Sequence, residues 1–350
     1  MATTKNGNGR PAGRATIRDI AEMAGVSIAT VSRVLNRRPD VSEETRELVM
    51  HYVREHGYVA NPSARGLTQQ RTGLIGATVP VVHSEYFNHI LSGAADALYE
   101  RDARIVLCPT LHEHDREVSL LERVMHGTTD GALLVLPSES NEELLRVRAT
   151  GFHFVVIDNS APLDDTIPVV AAAHWSGARL ATEYLLELGH QRIAAITGPP
   201  TWVASRDRLA GFHTAMLQAG RAADALVYEG DFLVEGGYRA ACQFLRLPNP
   251  PTAVFAFNDN MAMGTLQAAR ELRLDVPGDL SVIGFDDIDL AGVLNPPLTS
   301  VRQPLQEMGR VASSLLFRLL DGQRVDATRV ELSTRLMVRS STGPPRDSRT

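Results

Sequence analysis

Cysteine is nearly absent from this 350-residue chain: there are two, Cys108 and Cys242. Both sit in apolar patterns far apart in sequence, which excludes a disulfide-stapled scaffold and points to reduced thiols in a cytoplasmic protein. No run of about 18 apolar residues occurs, so no helix is expected to cross a membrane. The opening stretch MATTKNGNGRPAGRA lacks an apolar core, so no secretory signal is expected; residues 1–14 read as a disordered basic arm. Also missing are a G-x-G-x-x-G after a strand, a phosphate-loop motif, an H-E-x-x-H and any Cys/His cluster. ITGPP (196–200) has too few glycines to cradle a pyrophosphate. His112, Glu113, His114 and Asp115 are consecutive and point in different directions, so they do not form a metal box. These absences argue against an enzyme, a cofactor and a metal.

What is present is unevenly charged. Residues 1–71 hold 11 Lys/Arg against 7 Asp/Glu, a balance of +4, while the remainder holds 24 against 34, a balance of −10. A basic head on an acidic body places a polyanionic partner at the N-terminal end.

That head contains TIRDIAEMAGVSIATVSRVLN (16–36). Thr16 can cap a first helix with Asp19 as its reciprocal partner, and Ile17, Ile20, Ala21 and Ala24 share a face. Gly25 supplies a turn, and Ser27 can cap a second helix. In that helix Val31, Val34 and Leu35 turn inward, leaving Ile28, Ala29, Ser32 and Arg33 outside. Short side chains plus one arginine suit close approach to base edges, so the segment reads as a helix-turn-helix. Arg37 and Arg38 follow within reach of phosphates. Ser42 caps a third helix with Leu48, Val49, Tyr52 and Val53 as its apolar face and Gly57 as its end, closing a headpiece over 15–59.

A hinge at 60–72 follows. Asn61 and Pro62 can start a helix of about seven residues, too short to be stable alone in water. Leu67, with no core of its own, is placed to wedge a minor-groove step, and Arg65 to meet phosphate. From Leu74 onward wholly apolar runs alternate with helical stretches in two series. The first ends at FVVID; the second opens on VVAAA (169–173) and ends at LSVIGFDD, with strand-like RVELS and RLMV returning after a late helix. Such a pattern predicts an α/β body over 73–340 with two doubly wound parallel-sheet lobes. The expected N-lobe is about 73–170 plus 303–325, the C-lobe about 171–302 plus 326–340, with a flexible tail at 341–350. A ligand would lie in the cleft between the lobes, beyond the carboxyl ends of the strands.

Across nearly its whole length the chain resembles the lac-repressor/galactose-repressor (LacI/GalR) family of transcription regulators. The resemblance is carried by the helix-turn-helix, VSEETRELV, YVANPSARGL, GHQRIAAITGP, SRDRLAGF, FNDNMAMG and SVIGFDD. It implies a homodimer on a near-palindromic operator in double-stranded DNA and a small effector between two lobes resembling periplasmic binding proteins. By position, Ile28, Ala29 and Arg33 match base-reading residues; Ser27, Thr30, Ser32 and Asn36 match phosphate-side residues; Leu67 matches the hinge wedge. Thr16, Arg37 and Arg65 complete the set expected at DNA. Arg33 is the strongest reader, suited to a bidentate contact with guanine. Ala60-Asn61 stands where family hinges often have Pro-Asn, which shifts the expected helix start.

The same resemblance places Tyr86, Phe87, Asp158, Arg208, Phe232, Asn258 and Asp286 on effector positions. Trp202 and Ala204 stand where other members use polar groups. An aromatic, apolar wall favours stacking on a neutral mono- or disaccharide, with a nucleobase as the alternative. Exposed apolar positions near 91–98 are candidates for the dimer face, and the polar tail carries no leucine heptad for tetramers. The expected function is a repressor of carbohydrate-utilisation genes released by a sugar; the alternatives are a nucleobase or phosphorylated corepressor, and a periplasmic-type solute receptor.

Overall fold

A computed structural model describes residues 15–35, 38–58, 71–111, 113–123, 128–325 and 327–346. The chain divides into two compact units, Met1–Thr72 and Gly73–Thr350.

In the first unit, α1 (Ile17–Met23) begins with the reciprocal cap between Thr16 and Asp19. At its end Gly25 adopts a φ of +66°, a left-handed turn that costs glycine least. The Val26 N–H then closes back on the Ala21 carbonyl at 3.0 Å. α2 (Ile28–Leu35) is capped by Ser27, whose hydroxyl accepts from the Thr30 amide at 3.1 Å. α3 (Glu43–Glu55) is capped by Ser42. Ile20, Ala21, Ala24, Val31, Val34 and Val49 form the core between the three helices. Leu48 departs from expectation: it is exposed, and the inner face of α3 is Val49 with Met50, Tyr52 and Val53 packed beside it. Leu48 lies about 100° round the helix from the fully buried Val49, at the edge of the packed face, while Val53 lies within about 40° of Val49.

The second unit runs β1 (Leu74–Val79), α4 (Glu85–Tyr99), β2 (Arg104–Pro109), α5 (His114–Arg123), β3 (Gly131–Val135), α6 (Asn141–Ala149), β4 (Phe154–Ile157) and β5 (Val169–Ala172). It continues with α7 (His174–Glu187), β6 (Ile193–Thr197), α8 (Val203–Gln218), β7 (Ala225–Glu229), α9 (Val234–Phe244), β8 (Ala253–Ala256) and α10 (Asp259–Glu271). Then follow β9 (Ser281–Asp286), α11 (Asp289–Val293), β10 (Thr299–Arg302), α12 (Leu305–Leu320), β11 (Arg329–Leu332) and β12 (Arg335–Met337). Two six-stranded sheets result, ordered β11-β5-β4-β3-β1-β2 and β12-β10-β9-β8-β6-β7. Every described pairing is parallel except β10 with β12. Interior strands β3, β4, β6, β8 and β9 are buried along their whole length, whereas edge strands β2, β7, β11 and β12 carry exposed residues, as a sheet covered on both faces requires.

The chain crosses between the lobes after β5, after β10 and after β11, so the expected lobe limits need correction. VVAAA does not open the second lobe: β5 pairs with β4, and β11 pairs with β5 in the first sheet. The C-terminal boundary falls between β11 and β12. The apolar positions near 91–98 do not form an exposed face either: Leu91 is half-buried and Ala95 alone of them is exposed. Ala94, Ala97 and Leu98 are buried, and α4 lies so close to α12 that a Cβ on Gly93 or Gly309 would enter the other helix's backbone. Nor is the tail free as far as residue 346. Ser341 is fully buried and its hydroxyl donates to the Val282 carbonyl at 2.6 Å, while Arg346 pairs with Asp275 at 2.9 Å. His190 pins Gly343 from beneath, contacting its carbonyl at 2.9 Å.

Candidate functional site

In the headpiece Ile28, Ala29 and Arg33 all lie on the exposed side of α2, with Ile28 44% exposed. Thr30 and Ser32 are half-buried; the Thr30 hydroxyl is hydrogen-bonded to that of Ser27 at 2.9 Å. Arg33 rests near Asp40, Nε to Oδ2 3.5 Å, with both side chains more than half exposed, a pair weak enough to exchange for another acceptor. Thr16 is committed to its cap. Asn36, Arg37, Arg65 and Leu67 lie outside the described residues.

In the second unit, all nine residues singled out for a ligand line one cavity of about 400 Å³: Tyr86, Phe87, Asp158, Trp202, Ala204, Arg208, Phe232, Asn258 and Asp286. They come from the carboxyl ends of strands and the N-terminal turns of helices. Asp158 follows β4, Asp286 ends β9, Tyr86 and Phe87 open α4, Trp202, Ala204 and Arg208 belong to the start of α8, and Asn258 caps α10. Several lining residues hold left-handed backbone: Leu136 (φ 48°), Asp158 (51°), Phe232 (65°) and Asp286 (110°). For Leu and Phe this conformation costs about 1–3 kcal/mol, so the lobes store strain where the strands empty into the cleft.

The cleft floor is a buried polar network. Asp158 contacts His174 Nε2 at 2.9 Å and accepts a short bond from the Tyr86 hydroxyl. Arg208 Nη2 lies 3.2 Å from His174 Nδ1 and 3.8 Å from Asp286 Oδ1, and its Nη1 donates to the Phe257 carbonyl. A guanidinium only donates, so Nδ1 accepts and Nε2–H faces Asp158. Its plane also lies over Phe285, 3.8 Å from the ring centroid. Gln303 donates to Asp286 at 2.6 Å.

These contacts separate the two carboxylates. Burial pushes Asp158 up, but His174, the Tyr86 hydroxyl and Arg208 outweigh it and hold the group below the usual carboxylate range. Burial pushes Asp286 up to about 7, with Asp158 adding to the rise and Arg208 and Gln303 opposing it. Burial, then the Asp158 charge, raises the Tyr86 hydroxyl well above its ordinary value. The Arg208 Nε and Gln303 Oε1 are buried without a hydrogen-bond partner, a costly state that a polar ligand in the cleft could relieve at Arg208, which lines it.

Opposite the polar floor stands an apolar wall. Trp202 and Phe232 lie with ring centroids 5.3 Å apart, and Val81, Leu136, Leu233, Val234 and Leu290 extend it to the mouth. The glycine of ITGPP serves this wall, since a Cβ on Gly198 would fall on the Phe232 ring. Asn258 is partly committed: its side chain caps Met261 N–H at 2.9 Å and donates to the Phe232 carbonyl at 2.9 Å.

His174 and Gln303 were not anticipated from sequence. Each directly follows or precedes a crossover between the lobes, and only the register of β5 and β10 brings them under the cleft. A histidine at the carboxyl end of an apolar run, as in VVAAAH, is the signal that was available. Of the His112–Asp115 stretch, His114 pairs with Glu143 at 3.2 Å and Glu113 and Asp115 are exposed; His112 lies outside the described residues. No described helix is long and apolar enough to cross a membrane.

Comparison with known proteins fits this geometry. The family described as bacterial regulatory proteins, lacI family, matches residues 16–61, and the periplasmic binding protein-like domain matches residues 182–342. The ribose operon repressor of Escherichia coli (strain K12) is 36% identical over 330 residues, 93% of this chain and 99% of that protein. A lac repressor dimer bound to operator and the anti-inducer ONPF superposes with a TM-score of 0.85 at 29% identity, covering 95% of this chain and all of that one. The transcriptional regulator CelR in complex with cellobiose superposes with a TM-score of 0.71 at 33% identity, covering 94% of this chain and all of that one. A helix-turn-helix head, two doubly wound lobes and similarity along almost the full length of such proteins lead to one conclusion: the chain belongs to the lacI family of bacterial regulatory proteins and is a DNA-binding transcriptional regulator.

Proposed function

We propose that this regulator is a cytoplasmic, non-enzymatic homodimeric repressor of carbohydrate-utilisation genes, and that a neutral sugar bound in the inter-lobe cleft releases it from its operator. The observation that carries the reading is the two-sided cavity: a floor of Asp158, Asp286 and Arg208, with Gln303 bracing Asp286 from behind, facing an aromatic wall of Trp202 and Phe232. Carboxylates and a guanidinium take pairs of adjacent hydroxyls, and an aromatic ring covers the apolar face of a pyranose or furanose. Arg208 is the cation of the floor and is already held by Phe257, His174 and Asp286, which leaves little to neutralise a phosphate. Relatives known for ribose and cellobiose point the same way.

On DNA, two headpieces would occupy half-sites about one helical turn apart, with the N-terminal residues of α2 in the major groove. Ile28, Ala29 and Arg33 would read bases, while Thr16, Ser27, Thr30, Ser32, Asn36, Arg37 and Arg65 would hold the backbone and Leu67 wedge the central step. Sugar binding closes the lobes and alters the spacing from which the hinges start. The test is fluorescence anisotropy on a labelled palindromic operator selected from random DNA, with neutral sugars added in pools. Release by one pool is expected. Operator binding unmoved by sugars but strengthened by nucleobases or nucleosides would replace the inducer with a corepressor stacked on Trp202 and Phe232.

A further inference from the structure

Beside the cleft, three metal-ligating side chains from both lobes converge. Glu85 and His89 stand four residues apart on α4 and so share a helix face; Asp289 opens α11 in the other lobe. One donor atom from each lies within 4.8 Å of the others. His89 Nε2 is 3.5 Å from Asp289 Oδ1, and the Leu290 N–H points to Glu85 Oε2 at 3.4 Å. The His89–Asp289 separation is long for a direct hydrogen bond. It is close to that of donors sharing an ion, where bonds of about 2.0–2.2 Å set neighbouring donors roughly 3 to 3.5 Å apart, and the Leu290 N–H steadies Glu85 beside them.

The surroundings leave the position open. A cavity of about 450 Å³ adjoins it, lined in part by His89, Asp289, Gln303 and Arg310, with room for water at the remaining coordination positions. The nearby cations are engaged elsewhere: Arg302 with Asp287 at 2.6 Å, and Arg310 with Glu307 at 3.5 Å and Asp96 at 3.9 Å. The His89 side chain is 25% exposed and that of Asp289 84% exposed, so an ion has access from solvent.

We propose that Glu85, His89 and Asp289 bind a divalent transition-metal ion that ties the two lobes together. One imidazole with two carboxylates suits zinc, cobalt, nickel or manganese; calcium and magnesium prefer oxygen alone, and no thiolate is present to select copper(I). The ion neutralises carboxylates that otherwise face each other across the lobe gap. It binds best where α4 and α11 are close, and so favours that arrangement to the extent of its differential affinity. Glu85 also lines the effector cleft, so ion and effector meet at one side chain and each alters the other's affinity by the same factor.

The test is calorimetric titration of the full chain, free of any affinity tag, with zinc chloride, supported by the visible spectrum of the cobalt(II) form. One ion per chain is expected. His89→Ala and Asp289→Asn should each weaken binding by about 10- to 100-fold, at least the cost of losing an outer-sphere partner. Both substitutions lie outside the lining of the effector cleft and in solvent-accessible positions; circular dichroism checks that each variant is folded. Binding equal in wild type and both variants would overturn the site. Binding lost in His89→Ala but unchanged in Asp289→Asn would place the ion on α4 alone and overturn the tie between lobes.

Discussion

Asp286 makes effector binding depend on pH in a calculable way. Its carboxyl is pushed up to about 7 in the unliganded cleft, roughly three units above an ordinary aspartate, so holding it ionised there costs about 4 kcal/mol. Sugar hydroxyls donate to a carboxylate and favour its charged form, so binding should draw the value down and expel a proton. If the bound value returns to the ordinary range, affinity rises about tenfold from pH 6 to pH 8 and levels off above that. About half a proton leaves per sugar bound at pH 7. The folded protein shows the reverse dependence: because the folded value is raised, this group's contribution to stability is complete below about pH 4 and is lost as pH climbs through 7.

Calorimetry with the inducing sugar in two buffers of different ionisation enthalpy counts the protons directly. Asp286→Asn should bind more weakly and lose the pH dependence between 6 and 8, while its operator affinity in the absence of sugar stays near wild type. Proton uptake on binding would refute the argument, because it would mean that the sugar favours the neutral acid. A pH slope that survives in Asp286→Asn would assign the proton to another group of the floor.

Other perturbations test separate steps. Gly198→Ala should push the Phe232 ring out of place, costing about 1–3 kcal/mol in thermal stability and weakening the sugar response while sparing operator binding; an unchanged response would deny Phe232 its part in the wall. Arg33→Ala should relax preference at one base pair per half-site by about 1–3 kcal/mol in a selection from random operators, and an unchanged consensus would remove Arg33 as a reader. Leu67→Ala should weaken specific binding far more than non-specific binding, whereas equal losses in the same titration would sink the wedge. Glu139 is pushed up to about 8 by burial and the neighbouring Glu117 charge, so Glu139→Gln should gain stability over wild type as pH rises through 8 in thermal melts, and no gain would mean that the pair is solvated.

The legible part of this molecule is the part governed by short-range chemistry. Caps at Thr16, Ser27 and Ser42, the turn at Gly25 and the fully apolar runs of β3, β4, β6, β8 and β9 depend on neighbours a few residues away. Asp158 and Asp286 are placed by the family resemblance, and each also ends an apolar run, where a charge must emerge as the strand leaves the sheet. The hidden part depends on pairings across long sequence gaps. Nothing local distinguishes VVAAA as the last strand of one lobe from the first of the next; its partner β11 lies some 160 residues on, and that pairing decides. Gln303 and His174 are concealed for the same reason, as are Glu85, His89 and Asp289, which converge only when α11 of one lobe meets α4 of the other.

One physical cause links the legible and hidden halves of the cleft. Leu136, Asp158, Phe232 and Asp286 share left-handed backbone at the exits of their strands, a state aspartate tolerates and Leu or Phe resists. Such strain persists only where surrounding contacts over-determine it. Gly198 leaves room for the Phe232 ring, Asn258 accepts a bond from Met261 and donates one to the Phe232 carbonyl, and Gln303 holds Asp286. The cleft is therefore organised before any ligand arrives, with its unpaired Arg208 Nε buried at a fixed position. A ligand that satisfies it recovers its desolvation cost without paying to order the floor, and a molecule carrying hydroxyls or equivalent polar groups on one side and an apolar face on the other takes that gain while also covering the aromatic wall.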